Sequence, residues 1–214
     1  MKTRLALLSL FLAIFLPLVV SASHSKTLQP PHPGKQSTSG WDQPFQLSSE
    51  TFQKDQMIPA IMVFNGQLGS VCTGGNESPE LSWTPAGRGT RSYVVALFDV
   101  SANFTHWGVY NIPADVTTLQ AGAGASTTLQ QVYNDAGVQG YTGPCPPPGS
   151  ETGTNGIHRY VFTVYALDTQ LDLIPSPDFP PGADALYRAM IGHVIDSASI
   201  TGLFNCNDDS GACS

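Results

Sequence analysis

One stretch restricts this chain more than any other. Residues 140–149 run Gly140-Tyr141-Thr142-Gly143-Pro144-Cys145-Pro146-Pro147-Pro148-Gly149. The prolines lack the backbone N–H that a helix or sheet ladder needs, and the glycines admit backbone angles that other residues resist. The segment must be a stiff surface loop with polyproline character. A polar connection follows, then His158-Arg159-Tyr160 and an apolar run to Leu167, rich in β-branched and aromatic residues and of strand length. A rigid loop beside a strand that presents an imidazole at its entrance is a common way to build a binding pocket.

The N-terminus reads as a secretory signal over residues 1–22. Lys2 and Arg4 form a charged start, an apolar core of about 16 residues is interrupted by Pro17, and Val20-Ser21-Ala22 offers small residues for cleavage. That core falls short of the roughly 20 residues a membrane span needs. A secreted or periplasmic protein without stable membrane insertion is expected. Residues 23–40, with Pro30-Pro31-His32-Pro33-Gly34, read as a flexible linker, and residues 41–214 as one domain. Losing Lys2 and Arg4 takes the formal charge from −7 to −9. A chain this acidic, with no Lys/Arg cluster, repels phosphate backbones and is no nucleic-acid binder.

Within the domain, short apolar runs separated by turn residues predict an all-β fold. Expected strands are residues 45–47, 61–64, 81–83, 91–99, 106–112, 160–167 and 200–204. The run 91–99 is apolar nearly throughout, as in a strand buried on both faces. One helix is expected over residues 183–196, because Leu186, Met190, Ile191 and Val194 share a face and Pro180-Pro181-Gly182 precedes them. The fragment Gly122-Ala123-Gly124 precedes no amphipathic helix and is no nucleotide fingerprint, and no Gly-x-Ser-x-Gly elbow marks a hydrolase.

Four cysteines in an exported chain predict disulfides. Three pairings are possible. The places of Cys72, just after the Asn65-Gly66 turn, and of Cys145, inside the rigid loop, favour Cys72–Cys145. Cys206 and Cys213 would then close a small loop around an acidic tail.

Asp99, His106 and His158 fall at ends of expected strands, with Tyr141 and Tyr160 near them in sequence. An imidazole beside a carboxylate suits a phosphate or carboxylate ligand, and Asp99 would raise the imidazole's pKa. The same three residues could instead be metal ligands of an enzyme.

Several ordered motifs resemble the phosphatidylethanolamine-binding protein family, especially its bacterial Raf-kinase-inhibitor-like branch. They are residues 76–83 (Asn-Glu-Ser-Pro-Glu-Leu-Ser-Trp), His106-Trp107 with Val109-Tyr110-Asn111-Ile112-Pro113, the loop 140–149, and His158-Arg159-Tyr160. The resemblance implies two antiparallel sheets with Greek-key connections, β-sandwich-like, and a peripheral C-terminal helix. It implies a non-enzymatic binding or inhibitory module without a cofactor, and a kinase or protease as a protein target. It also implies a small surface pocket for phosphate-like head groups, lined by Asp99, His106, Tyr141, Gly143, Pro144, His158 and Tyr160. The family's Asp-Pro-Asp-Ala-Pro motif stands here as Asp99-Val100-Ser101-Ala102-Asn103, and the loop to His106 is shorter. An altered pocket rim is expected, and an interaction protein with a degenerate pocket is the alternative it raises.

Overall fold

Among the described residues, eight strands and one α-helix follow from the hydrophobic pattern. They are β1 (Leu47–Ser48), β2 (Leu81–Trp83), β3 (Ser92–Asp99), β4 (Phe104–Pro113), β5 (Thr118–Leu119), β6 (Gln130–Gln131), β7 (His158–Leu167), α1 (Ala183–Met190) and β8 (Val194–Phe204). The structure is a computed structural model that describes residues 43–66, 71–147, 156–173, 181–206 and 212–213. The expected signal, the linker, Pro148 and Gly149, most of the connection to His158, and the acidic tail lie outside the described residues.

The strands form two antiparallel sheets, ordered β1-β2-β5 and β6-β4-β3-β7-β8. β3 is the centre of the larger sheet, and its alternating side chains feed two cores. Tyr93, Val95 and Leu97 face the main core with Trp83, Trp107, Phe162 and Phe204. Val94 faces a second core with Val132, Leu167, Leu186 and Met190. The smaller sheet thus covers one face of β3, and α1 covers part of the other. This explains why 91–99 is apolar at nearly every position.

Two expected elements differ. The helix ends at Met190 rather than Asp196, because Gly192 takes a left-handed φ of 83° and His193 N–H donates to Met190 O at 3.0 Å. Ile191 and Val194 match helical spacing but are exposed, and Val194 already pairs with Leu167 of β7. Residues 61–64 are not a strand: residues Ala60–Met62 make a 3-10 turn. Their carbonyls and those beside them accept from another loop, with Gly75 N to Ala60 O at 3.0 Å, Glu77 N to Ile61 O at 2.9 Å and Asn76 N to Val63 O at 2.7 Å.

Cys72 is bonded to Cys145 and Cys206 to Cys213, as expected. The first pair closes a separation of 73 residues and fastens the proline-rich loop to the body. Loop closure of that length is worth about 4 kcal/mol in the chain-entropy picture. The Cys72→Ala/Cys145→Ala double variant is expected to lose stability of that order, read from urea unfolding curves each fitted with its own slope, because the freed unfolded chain is less compact.

Candidate functional site

Three neighbouring strands, β4, β3 and β7, bring together residues that lie far apart in the chain. Asp99 ends β3 and pairs in register with Tyr160 of β7 and Phe104 of β4, while the register shift at Leu97/Phe98 makes His106 the extra residue of a bulge between Thr105 and Trp107. His158 opens β7 two positions before Tyr160, and side chains two apart share a face. Asp99, His106, His158 and Tyr160 therefore converge on one cavity of about 200 Å³. Ala102, Phe104, Cys145, Pro146 and Pro147 complete its walls. Two wider clefts exist, about 550 Å³ beside β1 and β8 and about 490 Å³ across the opposite face of β3, β4 and β7. Neither gathers an imidazole, so chemistry rather than size singles out the smaller cavity.

Tyr160 stands between the two imidazoles. Its ring meets His106 edge-on at 5.3 Å and lies parallel to His158 at 6.1 Å. Each imidazole is oriented through Nδ1. His158 Nδ1 donates to Asp99 Oδ2 at 2.5 Å, and both side chains are buried. His106 Nδ1 lies 2.8 Å from Thr142 O. A carbonyl only accepts, so Nδ1 of His106 carries the proton and its Nε2 presents a lone pair. Burial lowers the His106 pKa below its ordinary value. The Thr142 carbonyl and the Asp99 and Asp135 carboxylates pull the other way without overcoming it. The expected raising of the imidazole by Asp99 is thus outweighed at His106 by desolvation.

Asp99 also shapes the rim. Its Oδ1 accepts Ser101 N–H at 2.8 Å and Ala102 N–H at 3.2 Å, while Ser101 Oγ accepts Arg159 N–H at 3.0 Å. Asn103 closes the turn with φ of 54°. Arg159 itself points away and makes an exposed ion pair with Asp55 at 3.4 Å.

Three residues expected at the cavity lie behind it. Tyr141 is buried, packs edge-on against Trp107 and donates through its hydroxyl to Met62 O at 2.8 Å. Gly143 donates its N–H to Asn76 Oδ1 at 2.7 Å, and a Cβ there would stand 2.3 Å from Met62 O, so only glycine fits. Pro144 O accepts Phe64 N–H at 3.0 Å. The loop residues at the wall are Cys145, Pro146 and Pro147, one step further along. Asn134 is a positioning residue that sequence reasoning missed. Its buried Nδ2 reaches His106 O at 3.1 Å, Gly140 O at 3.0 Å and Thr142 Oγ1 at 2.8 Å, tying loop to strand. A lone Asn in a turn sequence carries no signal of that role.

Two outcomes follow from this geometry. Replacing Asp99 by Asn keeps an acceptor for the turn but removes the charged acceptor of His158, and should cost about 1.5–3 kcal/mol in urea unfolding. His106, with its folded pKa below the unfolded value, makes the unfolded chain the better proton binder in that window. Its share of stability is therefore present above the unfolded pKa of about 6.5 and is lost as pH falls towards the folded value. In His106→Gln, the urea midpoint should depend less on pH between about 6.5 and 5 than in the parent.

Comparison with known proteins agrees with this architecture. The family profile described as phosphatidylethanolamine-binding protein matches residues 48–205. A UPF0098 protein of Methanothermobacter thermautotrophicus is 39% identical over 140 residues, covering 62% of this chain and 85% of its own. The UPF0098 protein YbhB of Escherichia coli is 37% identical over 173 residues, covering 74% of this chain and 99% of its own. The crystal structure of E. coli YbcL, described as a member of the mammalian PEBP family, superimposes with a TM-score of 0.64 at 33% identity, covering 75% of this chain and 98% of its own. With its two antiparallel sheets, its single α-helix among the described residues and these matches, this chain belongs to the phosphatidylethanolamine-binding protein family.

Proposed function

We propose that this chain is a non-enzymatic binding module, working outside the cytoplasm, whose cavity takes a phosphate-like head group. The observation that carries the reading is the convergence of His106, His158 and Tyr160 under the Cys145–Pro147 wall, with both Nδ1 atoms already committed to protein acceptors. Among the described residues, no lysine or arginine lines the cavity. The site therefore suits an anion that brings its own proton better than a fully charged one. The neutral His106 offers a lone pair at Nε2, which a protonated phosphate oxygen can donate to. Metal ligation is less well supported: among the described residues, Asp99, His106 and His158 do not form a group whose ligand atoms lie close enough to share an ion, and both Asp99 oxygens are engaged in protein hydrogen bonds. A degenerate site is disfavoured by the open cavity.

The signal-like start, with its charged residues and short apolar core, supports a place outside the cytoplasm. A kinase or protease partner rests on family resemblance alone, and fold does not fix a target.

Isothermal titration near pH 7 separates these possibilities. Phosphate should bind with measurable heat and shift the ring resonances of His106 and His158, and phosphoethanolamine, a monoester that has lost most of its second proton at that pH, should do so more weakly. Sulfate, which has no proton to give at that pH, should bind about tenfold more weakly, the worth of one hydrogen bond of about 1.4 kcal/mol. The gap should close as pH falls and His106 itself becomes the donor. No heat and no shift with either phosphate compound would remove the reading.

A further inference from the structure

The four cysteines form one sulfur cluster rather than two separate clips. Cys72 Sγ is bonded to Cys145 Sγ, and it also lies 3.6 Å from Cys206 Sγ and 3.8 Å from Cys213 Sγ. The fold builds this approach. Cys72 and Cys213 are partners in an antiparallel bridge, and Thr73 N–H donates to Ala212 O at 2.8 Å. Exposure differs within the cluster: Cys72 is fully buried, whereas Cys145, Cys206 and Cys213 are partly exposed. At the other end of the cluster, Cys145 forms part of the cavity wall that His158 shares.

A sulfur held within contact distance of another disulfide is at the starting point of thiol–disulfide exchange, which proceeds by attack of a thiolate on a disulfide sulfur. We propose that Cys145 is a latent thiol of the pocket, released when the Cys206–Cys213 pair is reduced and one of its cysteines captures Cys72. A dithiol reductant supplies two electrons, cleaves Cys206–Cys213 and leaves as its own cyclic disulfide. A tail thiolate then attacks Cys72 Sγ. The new bond forms as Cys72–Cys145 breaks, and the bonding pair departs on Cys145 as thiolate. The other tail cysteine keeps its thiol, so the protein passes from two disulfides to one. Cys72 ends bonded to the tail, and the buried sulfur is never left as a free thiol.

The product differs from the starting protein where it matters. The wall residue Cys145 becomes a nucleophile open to alkylation or S-thiolation, inside a cavity that also holds two imidazoles. The proline-rich loop loses its covalent pin but keeps its hydrogen bonds to Asn76 and Phe64. The inference uses the cavity of the preceding section and not its ligand.

The test maps sulfurs directly. The intact protein is exposed to limiting dithiothreitol, quenched with iodoacetamide, digested without further reduction and analysed by mass spectrometry. The expected map has one alkyl group on Cys145, one on either Cys206 or Cys213, none on Cys72, and a peptide joining Cys72 to the remaining tail cysteine. The Cys206→Ser/Cys213→Ser variant, which has no attacking thiol, should keep Cys72–Cys145 and leave Cys145 unlabelled at the same dose. Label confined to Cys206 and Cys213 in the parent would overturn the proposal. So would equal labelling of Cys72 and Cys145, which is direct reduction. Either failure leaves the phosphate titration unaffected.

Discussion

A segment that cannot pair its own backbone must borrow partners, and the rest of this site depends on where loop 140–147 borrows them. Its prolines exclude a ladder, so backbone groups of the loop find partners elsewhere in the chain. Tyr141 N–H donates to Gly124 O at 3.2 Å, Thr142 N–H to His106 O at 3.0 Å and Gly143 N–H to Asn76 Oδ1, while Pro144 O accepts Phe64 N–H. These partners come from separate stretches that meet only in the folded domain. The loop is therefore an output of the whole fold as well as the wall of the cavity. One of its bonds does two jobs: Thr142 both donates to the backbone of His106 and accepts from its Nδ1. Loop position and imidazole orientation are set by the same residue.

This division explains what the sequence could and could not tell. The long strands were legible because burial writes itself as residue type: Tyr93 to Leu97 are apolar since both faces of β3 are covered. The site residues on strands were legible for a related reason. Asp99, His106 and His158 are polar groups at strand ends, a conspicuous break in the pattern. The loop was legible as a loop, but its facing was not. Nothing in Gly140 to Pro147 says that Tyr141 turns inward to Met62 while Pro146 turns to the cavity, because a segment without periodicity has no predictable face. The helix was over-extended for the opposite reason. Ile191 and Val194 imitate a helical stripe, and only Gly192 between them records the reversal into β8. Asn134 was invisible, since a buried amide that holds other segments looks like any turn residue, and Asn76 stood in a motif without its hold on Gly143 being readable.

The rim between β3 and β4 replaces one way of making a tight turn with another. Proline restricts a turn by fixing φ. Here Asp99 gives up an oxygen to two successive N–H groups, and Asn103 supplies the left-handed residue that brings the chain into β4. Asparagine tolerates that region better than most residues because its short amide bonds locally. The turn then needs no proline. It does commit Asp99 to a structural duty beside its bond to His158, which limits what that carboxylate can offer a ligand.

That commitment decides the electrostatics of the cavity. An isolated carboxylate at the wall would repel an anion, and an isolated buried imidazole would favour neutrality. Joined at 2.5 Å, Asp99 and His158 form a pair that carries one negative charge with a neutral imidazole and none with a protonated one, so it never presents net positive charge to the cavity. His106 is held neutral by burial. A site built this way has directional hydrogen-bonding groups but little net positive charge. It should read the proton content and shape of a head group rather than its total charge. Long-range attraction cannot help either, because the whole chain carries a formal charge of −7. On the proposed reading, recognition comes from contacts made inside the cavity, where a proton on the ligand would meet a lone pair on His106 Nε2.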